Sequence, residues 1–164
     1  KIKQIVILDI MFIASGFVLR ILAGTTLAGV NPSDWLIICT ITLSLFLGFS
    51  KRRNELVLMG ENAGYQRKVL KEYSIHFLDQ MISMVTACTV MSYILYTVSP
   101  ETVNRFGTKN LIFSIPFVLF GVFRYLYLIY LKKTIENPID LILKDFPSLL
   151  NILLWFSAVM IIIY

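Results

Sequence analysis

Three consecutive cations, in the segment Lys51-Arg52-Arg53-Asn54-Glu55-Leu56, give the chain its strongest chemical signal. Such a cluster suits a polyphosphate, because arginine matches phosphate oxygens with two parallel hydrogen bonds. If the segment is helical, Lys51 and Glu55 lie one turn apart on the same face, and Glu55 could then orient Lys51. The alternative is an ordinary basic patch beside a membrane.

A second basic group follows a stretch at 60–64 that contains two glycines. Arg67, Lys68 and Lys71 form this group, and Tyr73 lies two residues beyond Lys71. The glycines predict a flexible hinge between the two basic groups. Tyr73 is a weaker candidate for contact with the same anion.

Asp9 and Arg20 interrupt the first apolar run of the chain. They lie about three helical turns apart, which puts them on one face but about 16 Å from each other, too far for a direct pair. Gly16 and Gly24 flank Arg20 on this face and predict close helix packing. Arg20 is therefore a candidate to bind an anion in an internal cavity, or to form an interhelical salt bridge.

Further ionisable residues lie in later apolar runs. Arg124 is either functional or extends its side chain toward lipid headgroups. His76 and Asp79 form either a metal pair or, as we favour, the polar start of a helix. Because Asp9, Asp79 and Arg124 all fall in the same half of their spans, we expect a cavity that opens on that side.

The composition places these residues in a membrane. Apolar residues make up 57% of the 164 residues and charged residues 15%, and the mean hydropathy is +0.77. Soluble domains average about 45–50% apolar and about 25% charged residues. This excludes a soluble enzyme, a disordered segment and a nucleic-acid-binding module, and we interpret the net charge of +5 as membrane sidedness.

Five apolar runs approach the roughly 20 residues that a membrane helix needs. They are 5–30, 35–49, 75–98, 111–131 and 149–164, and the second is short enough that it should extend into its flanks. The runs are too uniformly apolar for the strands of a membrane barrel. We predict an all-α, polytopic membrane helix bundle, with residues 1–164 as one transmembrane domain.

The basic residues in the loops predict the orientation of the chain. The chain start and the second and fourth loops carry most of them, whereas the first loop has none and the third has Arg105 and Lys109. Because cytoplasmic loops are enriched in lysine and arginine, we expect the chain start in the cytoplasm and the last residue outside a plasma membrane.

Short motifs along most of the chain follow the order typical of a known family. They are Leu8-Asp9, Ala14–Arg20 with Ala23-Gly24, Leu47–Leu56, Leu70–Tyr73, Phe123–Tyr125, Asn137-Pro138 and Leu143–Asp145. On these motifs the chain resembles the UbiA-type intramembrane prenyltransferase superfamily. The resemblance implies nine membrane helices around a cavity facing the cytoplasm, and the five spans would be the last five.

Members of this family hold Mg²⁺ and a donor diphosphate with an Asn-Asp-x-x-Asp-x-x-x-Asp motif in an early helix. The chain contains no such motif. The resemblance therefore implies that the Asp-rich half lies upstream of Lys1, and that this chain alone is inactive.

The basic segment also separates branches of the family. Ordinary prenyltransferases have a second Asp-rich motif where this chain has Lys51–Glu55. The chain thus resembles the branch that transfers phosphoribosyl from 5-phosphoribosyl diphosphate to a polyprenyl (decaprenyl) phosphate, which leads to arabinose donors for the cell envelope. We expect Lys51, Arg52 and Arg53 to bind the donor phosphates. Arg20 would bind an internal phosphate or form an ion pair.

The other candidate site residues are Glu55, as a partner of Lys51, and Tyr73 and Arg124, as weaker contacts. One alternative is a prenyltransferase of the same fold with an aromatic acceptor. Another is a non-catalytic membrane scaffold or transporter segment. The expected partners are the bilayer and the two substrates, not nucleic acid, and association between copies of the chain stays open.

Overall fold

The computed structural model describes residues 6–30, 32–59, 70, 72–131 and 138–163, and every regular element in these ranges is helical. The helices are α1 (Leu8–Leu27), α2 (Asp34–Met59), α3 (Ile75–Val98), α4 (Pro100–Phe106), α5 (Ile115–Leu131), α6 (Pro138–Lys144) and α7 (Phe146–Ile163). A 3-10 helix at Asn110–Ser114 leads into α5.

Five helical stretches in the described part of the chain are long and apolar enough to cross a membrane. They are Leu8–Leu27, Asp34–Leu58, Ile75–Val98, Asn110–Leu131 and Phe146–Ile163. The predicted all-α, multi-pass membrane protein is confirmed. The boundaries of four spans agree with the predicted runs to within three residues, because a long apolar run leaves little choice of register in a bilayer. The second span is the exception at its end.

The basic segment is part of a membrane helix. The predicted second span ended at Phe49, but α2 continues to Met59 without a break. Lysine, arginine, glutamate and leucine are good helix formers, and neither proline nor glycine interrupts residues 49–59. As a result, the side chains of the segment project from a rigid helix, in directions fixed by the helical period.

Contacts divide the chain into two compact units, one up to Thr89 and one that starts at Val90. In the second unit, Trp155 Nε1 donates to Tyr93 Oη at 3.0 Å, and Tyr93 Oη lies 2.8 Å from Ser114 Oγ. Asn151 Nδ2 donates to the carbonyl oxygen of Phe117 at 2.9 Å, which links α7 to α5. Polar side chains thus connect apolar helices, as expected where packing cannot rely on water exclusion.

In the first unit, α1 and α2 approach most closely at Gly48. A Cβ atom placed there would lie 2.6 Å from Cγ2 of Ile10, whose side chain is fully buried. Close packing was predicted instead for the face of α1 that carries Gly16 and Gly24. A Cβ atom placed at either glycine meets no atom within 4 Å among the described residues, so this face makes no close helix contact there. The close helix contact in this unit therefore depends on a glycine of α2.

We predict that Gly48→Ala destabilises the first unit. Overpacking costs about 1–3 kcal/mol, since the β-branched Ile10 cannot rotate away from the new methyl group. Gly24→Ala is the matched control, because its methyl group enters open space and alanine favours the helix. Thermal unfolding of the purified protein in detergent should show a lower Tm for Gly48→Ala only. Equal Tm values for the two variants would contradict the close contact.

Candidate functional site

Arg52 lies at the centre of a buried ion cluster that joins two helices. Its Nε donates to Oδ2 of Asp9 at 2.8 Å, and its Nη1 donates to Oε2 of Glu55 at 2.8 Å. The Arg52 side chain is 2% exposed and that of Asp9 is 5% exposed. A buried charge needs such partners, because removal from water costs several kcal/mol per ion. The pairs therefore fix the end of α2 against the start of α1.

Tyr73 extends this cluster to the segment before α3. Its hydroxyl donates to Oδ1 of Asp9 at 2.8 Å and accepts the backbone N–H of Ile7 at 2.7 Å. Burial is the main reason that the pKa of Tyr73 is raised to about 12. At neutral pH the hydroxyl keeps its proton. Both oxygens of the Asp9 carboxylate are thus occupied, one by Arg52 and one by Tyr73.

The backbone at Ile7 is strained. Its φ of 72° is left-handed, which is unfavourable for a β-branched residue. Strain of this kind persists only where the surroundings enforce it and costs about 1–3 kcal/mol. The hydrogen bond from the Ile7 N–H to Tyr73 is one such constraint on the first turn of α1.

Arg53 makes the corresponding connection from α2 to α3. Its Nε donates to Oδ1 of Asp79, in the second turn of α3. The start of α1, the end of α2 and the start of α3 therefore lie together, as expected for consecutive antiparallel spans. Cations and carboxylates at the three helix ends pair with one another.

The cluster is close to electrically neutral. The guanidinium groups of Arg52 and Arg53 face three carboxylates, those of Asp9, Glu55 and Asp79. The neighbouring ammonium of Lys51 offsets the remaining negative charge, although its side chain is exposed and pairs with no carboxylate in the described part of the chain. The expectation that Glu55 orients Lys51 is wrong: Glu55 pairs with Arg52. A buried guanidinium requires acceptors for its N–H groups, whereas water can satisfy an exposed ammonium.

Arg20 lies apart from this cluster, on the exposed side of α1. Its Cζ is 5.1 Å from the centre of the Phe17 ring, a cation–π contact within the helix. No carboxylate pairs with Arg20 among the residues that the structure describes. The predicted separation of Arg20 from Asp9 agrees with this arrangement.

Arg124 belongs to the second unit, where Asp145 binds it with two parallel hydrogen bonds. Arg124 Nε and Nη2 donate to the two carboxylate oxygens at 2.9 and 2.8 Å. The hydroxyl of Ser148 donates to Oδ2 of the same carboxylate at 2.7 Å, and the Ser148 N–H does so at 3.2 Å. The guanidinium also lies 4.9 Å from the Tyr127 ring centre. This pair links α5 to the start of α7.

The residues considered as metal ligands have other partners. Asp79 binds Arg53, and Nε2 of His76 lies 3.2 Å from Nε2 of Gln80. Within the described ranges, no group of three or more His, Cys, Asp or Glu residues could hold a metal ion. The polar start of a helix, the favoured alternative, fits these contacts.

Several residues singled out from the sequence lie outside the described residues. They are Arg67, Lys68, Lys71, Asn137 and the stretch 60–64.

Sequence reasoning missed the carboxylate partners of Arg52, Arg53 and Arg124. Asp9 is far from Arg52 along the chain, and Asp79 is far from Arg53. One available signal was topological, because the start of one span and the end of the next lie on the same side of a membrane. Acidic residues at such ends are natural partners for a basic segment.

Comparisons with known proteins agree with the resemblance seen in the motifs. Decaprenyl-phosphate phosphoribosyltransferase from Corynebacterium glutamicum is 34% identical over 94 residues, which are 57% of this chain and 28% of that protein. The enzyme of the same name from Mycolicibacterium smegmatis is 26% identical over 167 residues, which are 99% of this chain and 52% of that protein. The chain is similar to decaprenyl-phosphate phosphoribosyltransferases. The expected closeness to the phosphoribosyl-transferring branch is confirmed.

The chain spans about half the length of its Mycolicibacterium relative and 28% of the Corynebacterium relative. No family model matches the chain.

We predict that Asp145 makes the second unit sensitive to acid. The Arg124 guanidinium, with help from Ser148, holds the pKa of this carboxyl well below its usual range. A depressed pKa adds stability that is fully present above about pH 4 and is lost as the pH falls toward the folded-state value. Asp145→Asn should therefore lower stability at pH 7 by about 1.5–3 kcal/mol, and the difference from wild type should shrink below about pH 4.

Thermal unfolding in detergent from pH 7 to pH 3 measures this difference. Glu101→Gln, at an exposed carboxylate of α4, serves as the control and should follow wild type at every pH. A constant difference between wild type and Asp145→Asn across the range would show that the ion pair does not titrate with Asp145.

Proposed function

We propose that this chain forms part of an integral membrane transferase that moves a 5-phosphoribosyl group from phosphoribosyl diphosphate to a polyprenyl phosphate. Similarity along 99% of the chain to an enzyme with this activity in its name carries the proposal. The five candidate spans support it, because a polyprenyl acceptor resides in the bilayer. The exposed Lys51 of α2, next to the cluster where three helix ends meet, offers a cation for a phosphate group.

The proposal includes the UbiA-type fold and the placement of these spans as its last five. The described residues do not form a magnesium site, since Asp9, Glu55 and Asp79 each pair with an arginine. In the proposal, the Mg²⁺ of the reaction would be bound by residues outside the described ranges, as the family resemblance implies.

The proposed reaction exchanges one carbon–oxygen bond for another. A phosphate oxygen of the lipid forms a bond to C1 of the ribose, the bond from C1 to the diphosphate oxygen breaks, and diphosphate leaves with the electron pair. Negative charge grows on the leaving group, so a cation held nearby lowers the barrier. Holding the lipid phosphate and the donor together supplies the remaining acceleration.

Within the basic segment, the structure favours different roles for the three cations. Lys51 is exposed, and in the proposal its ammonium meets a donor phosphate directly. Arg52 and Arg53 line the same helical turns but are already bound to carboxylates. Glu55, through Arg52, helps to hold that arrangement. The proposal thus places the donor diphosphate beside Lys51.

The remaining candidates keep secondary roles in the proposal. Arg20 would meet a phosphate or a carboxylate outside the described residues, because an unpaired arginine is costly inside a bilayer. Tyr73 and Arg124 would act through Asp9 and Asp145, the carboxylates they bind.

The proposal also covers location and biological role. The distribution of basic loops supports a plasma-membrane protein whose basic loops face the cytoplasm. The product would serve as a precursor of arabinose donors for the cell envelope.

We predict that membranes from cells expressing the complete gene incorporate label from radioactive 5-phosphoribosyl diphosphate into a lipid extract when polyprenyl phosphate is supplied. Membranes without the gene are the control. A parallel assay supplies a radioactive prenyl diphosphate with an aromatic acceptor. Labelling of the lipid extract in that assay only would overturn the proposal in favour of a prenyltransferase. Absence of labelling with either donor would favour a scaffold or transporter.

We predict that Lys51→Gln raises the KM for phosphoribosyl diphosphate at least tenfold. Hydrogen bonds to charged groups contribute about 1.5–3 kcal/mol, and each 1.4 kcal/mol is a factor of ten. The Tm should not change, since Lys51 is exposed. Lys109→Gln, at another exposed lysine, is the matched control and should keep the wild-type KM. An unchanged KM in Lys51→Gln would remove Lys51 from the donor site.

A further inference from the structure

Asp9 is the residue through which three segments of the first unit are connected. One carboxylate oxygen accepts from Arg52 of α2, and the other accepts from Tyr73, which precedes α3. Asp9 itself lies in the first turn of α1 and is 6% exposed. A carboxylate this buried, with both oxygens engaged, is held in one orientation by its surroundings.

The hydrogen bonds of this network form a chain that runs from Tyr73 to the end of α2. Tyr73 fixes the Ile7 N–H and the Asp9 carboxylate, Asp9 fixes the Arg52 guanidinium, and Arg52 fixes Glu55 in the next turn of α2. Lys51 is adjacent to Arg52 in the same helix. Displacement of Arg52 would therefore move the turn that presents the Lys51 ammonium.

We infer that Asp9, anchored by Tyr73, is a positioning residue for the basic end of α2: it holds Arg52 so that Lys51 meets the donor diphosphate. Neither residue contacts substrate in this assignment, and both act through Arg52. The inference rests on the proposed function, because it concerns how the donor phosphates are met. Misplacement of a charged group by about 1 Å is enough to reduce a rate about a hundredfold.

Two simpler accounts predict different kinetics. If Asp9 only neutralises Arg52, its removal exposes positive charge, and the donor should bind more tightly. If Asp9 only stabilises the fold, its removal lowers the Tm but leaves the kinetics of the folded protein unchanged. Positioning predicts a lower kcat together with a higher KM for the donor.

Two variants of the complete protein separate these accounts. Asp9→Asn removes the charge with little change in shape, whereas Tyr73→Phe keeps every charge and removes only the hydroxyl that orients Asp9. Asp34→Asn, at an exposed aspartate in the first turn of α2, is the matched control. Each protein is assayed for phosphoribosyl transfer in membranes and for Tm in detergent.

We expect kcat/KM for phosphoribosyl diphosphate to fall at least tenfold in Asp9→Asn, and in the same direction but less in Tyr73→Phe, with Asp34→Asn at the wild-type value. The double variant Asp9→Asn with Tyr73→Phe should lose less than the product of the single losses, because both act on one guanidinium. If Asp9→Asn fails to fold, the kinetics of Tyr73→Phe, which keeps the ion pair between Asp9 and Arg52, still distinguish positioning from the two simpler accounts.

A lower KM in Asp9→Asn, or unchanged kinetics in both variants, would overturn the inference while leaving the proposed function intact. Absence of phosphoribosyl transfer by the wild-type protein would instead refute the proposed function itself. The two failures are therefore distinguishable in one set of assays.

Discussion

The pairing of the Arg52 guanidinium with Asp9 is the constraint on which the first unit depends. A cation that is 2% exposed, in a chain of such low polarity, is tolerated only when carboxylates surround it. This requirement brings the start of α1 to the end of α2, and the Tyr73 hydroxyl adds the segment before α3. The close approach of Ile10 to Gly48 lies just beside the ion pair, so packing and charge act on the same region.

This constraint changes how a basic segment can recognise phosphate. Three consecutive cations give a strong positive charge along the sequence, yet in the folded chain two of them already bind carboxylates. What remains is a rigid, nearly neutral cluster with an exposed lysine at its edge. In the proposed donor site, such preorganisation would limit the ordering cost on binding and would place specificity in geometry more than in net charge.

The second unit meets the same requirement with a different arrangement. Arg124 lies in an apolar helix and donates to both carboxylate oxygens of Asp145, while Ser148 donates to the same carboxylate from the first turn of α7. Each described unit thus contains an arginine from a membrane helix that binds an aspartate near the end of another. The bidentate geometry explains why lysine would be a poor substitute at position 124.

The sequence by itself determined the fold class, the five spans and the basic segment, because long apolar runs and cation clusters are local properties of the chain. The motif order also sufficed to indicate the family resemblance. Tertiary structure decided the partners: Asp9 for Arg52, Asp79 for Arg53, Asp145 for Arg124, and Glu55 with Arg52 instead of Lys51. Those pairings depend on which helix faces come together and on which cations become buried, and neither can be read from spacing along one helix.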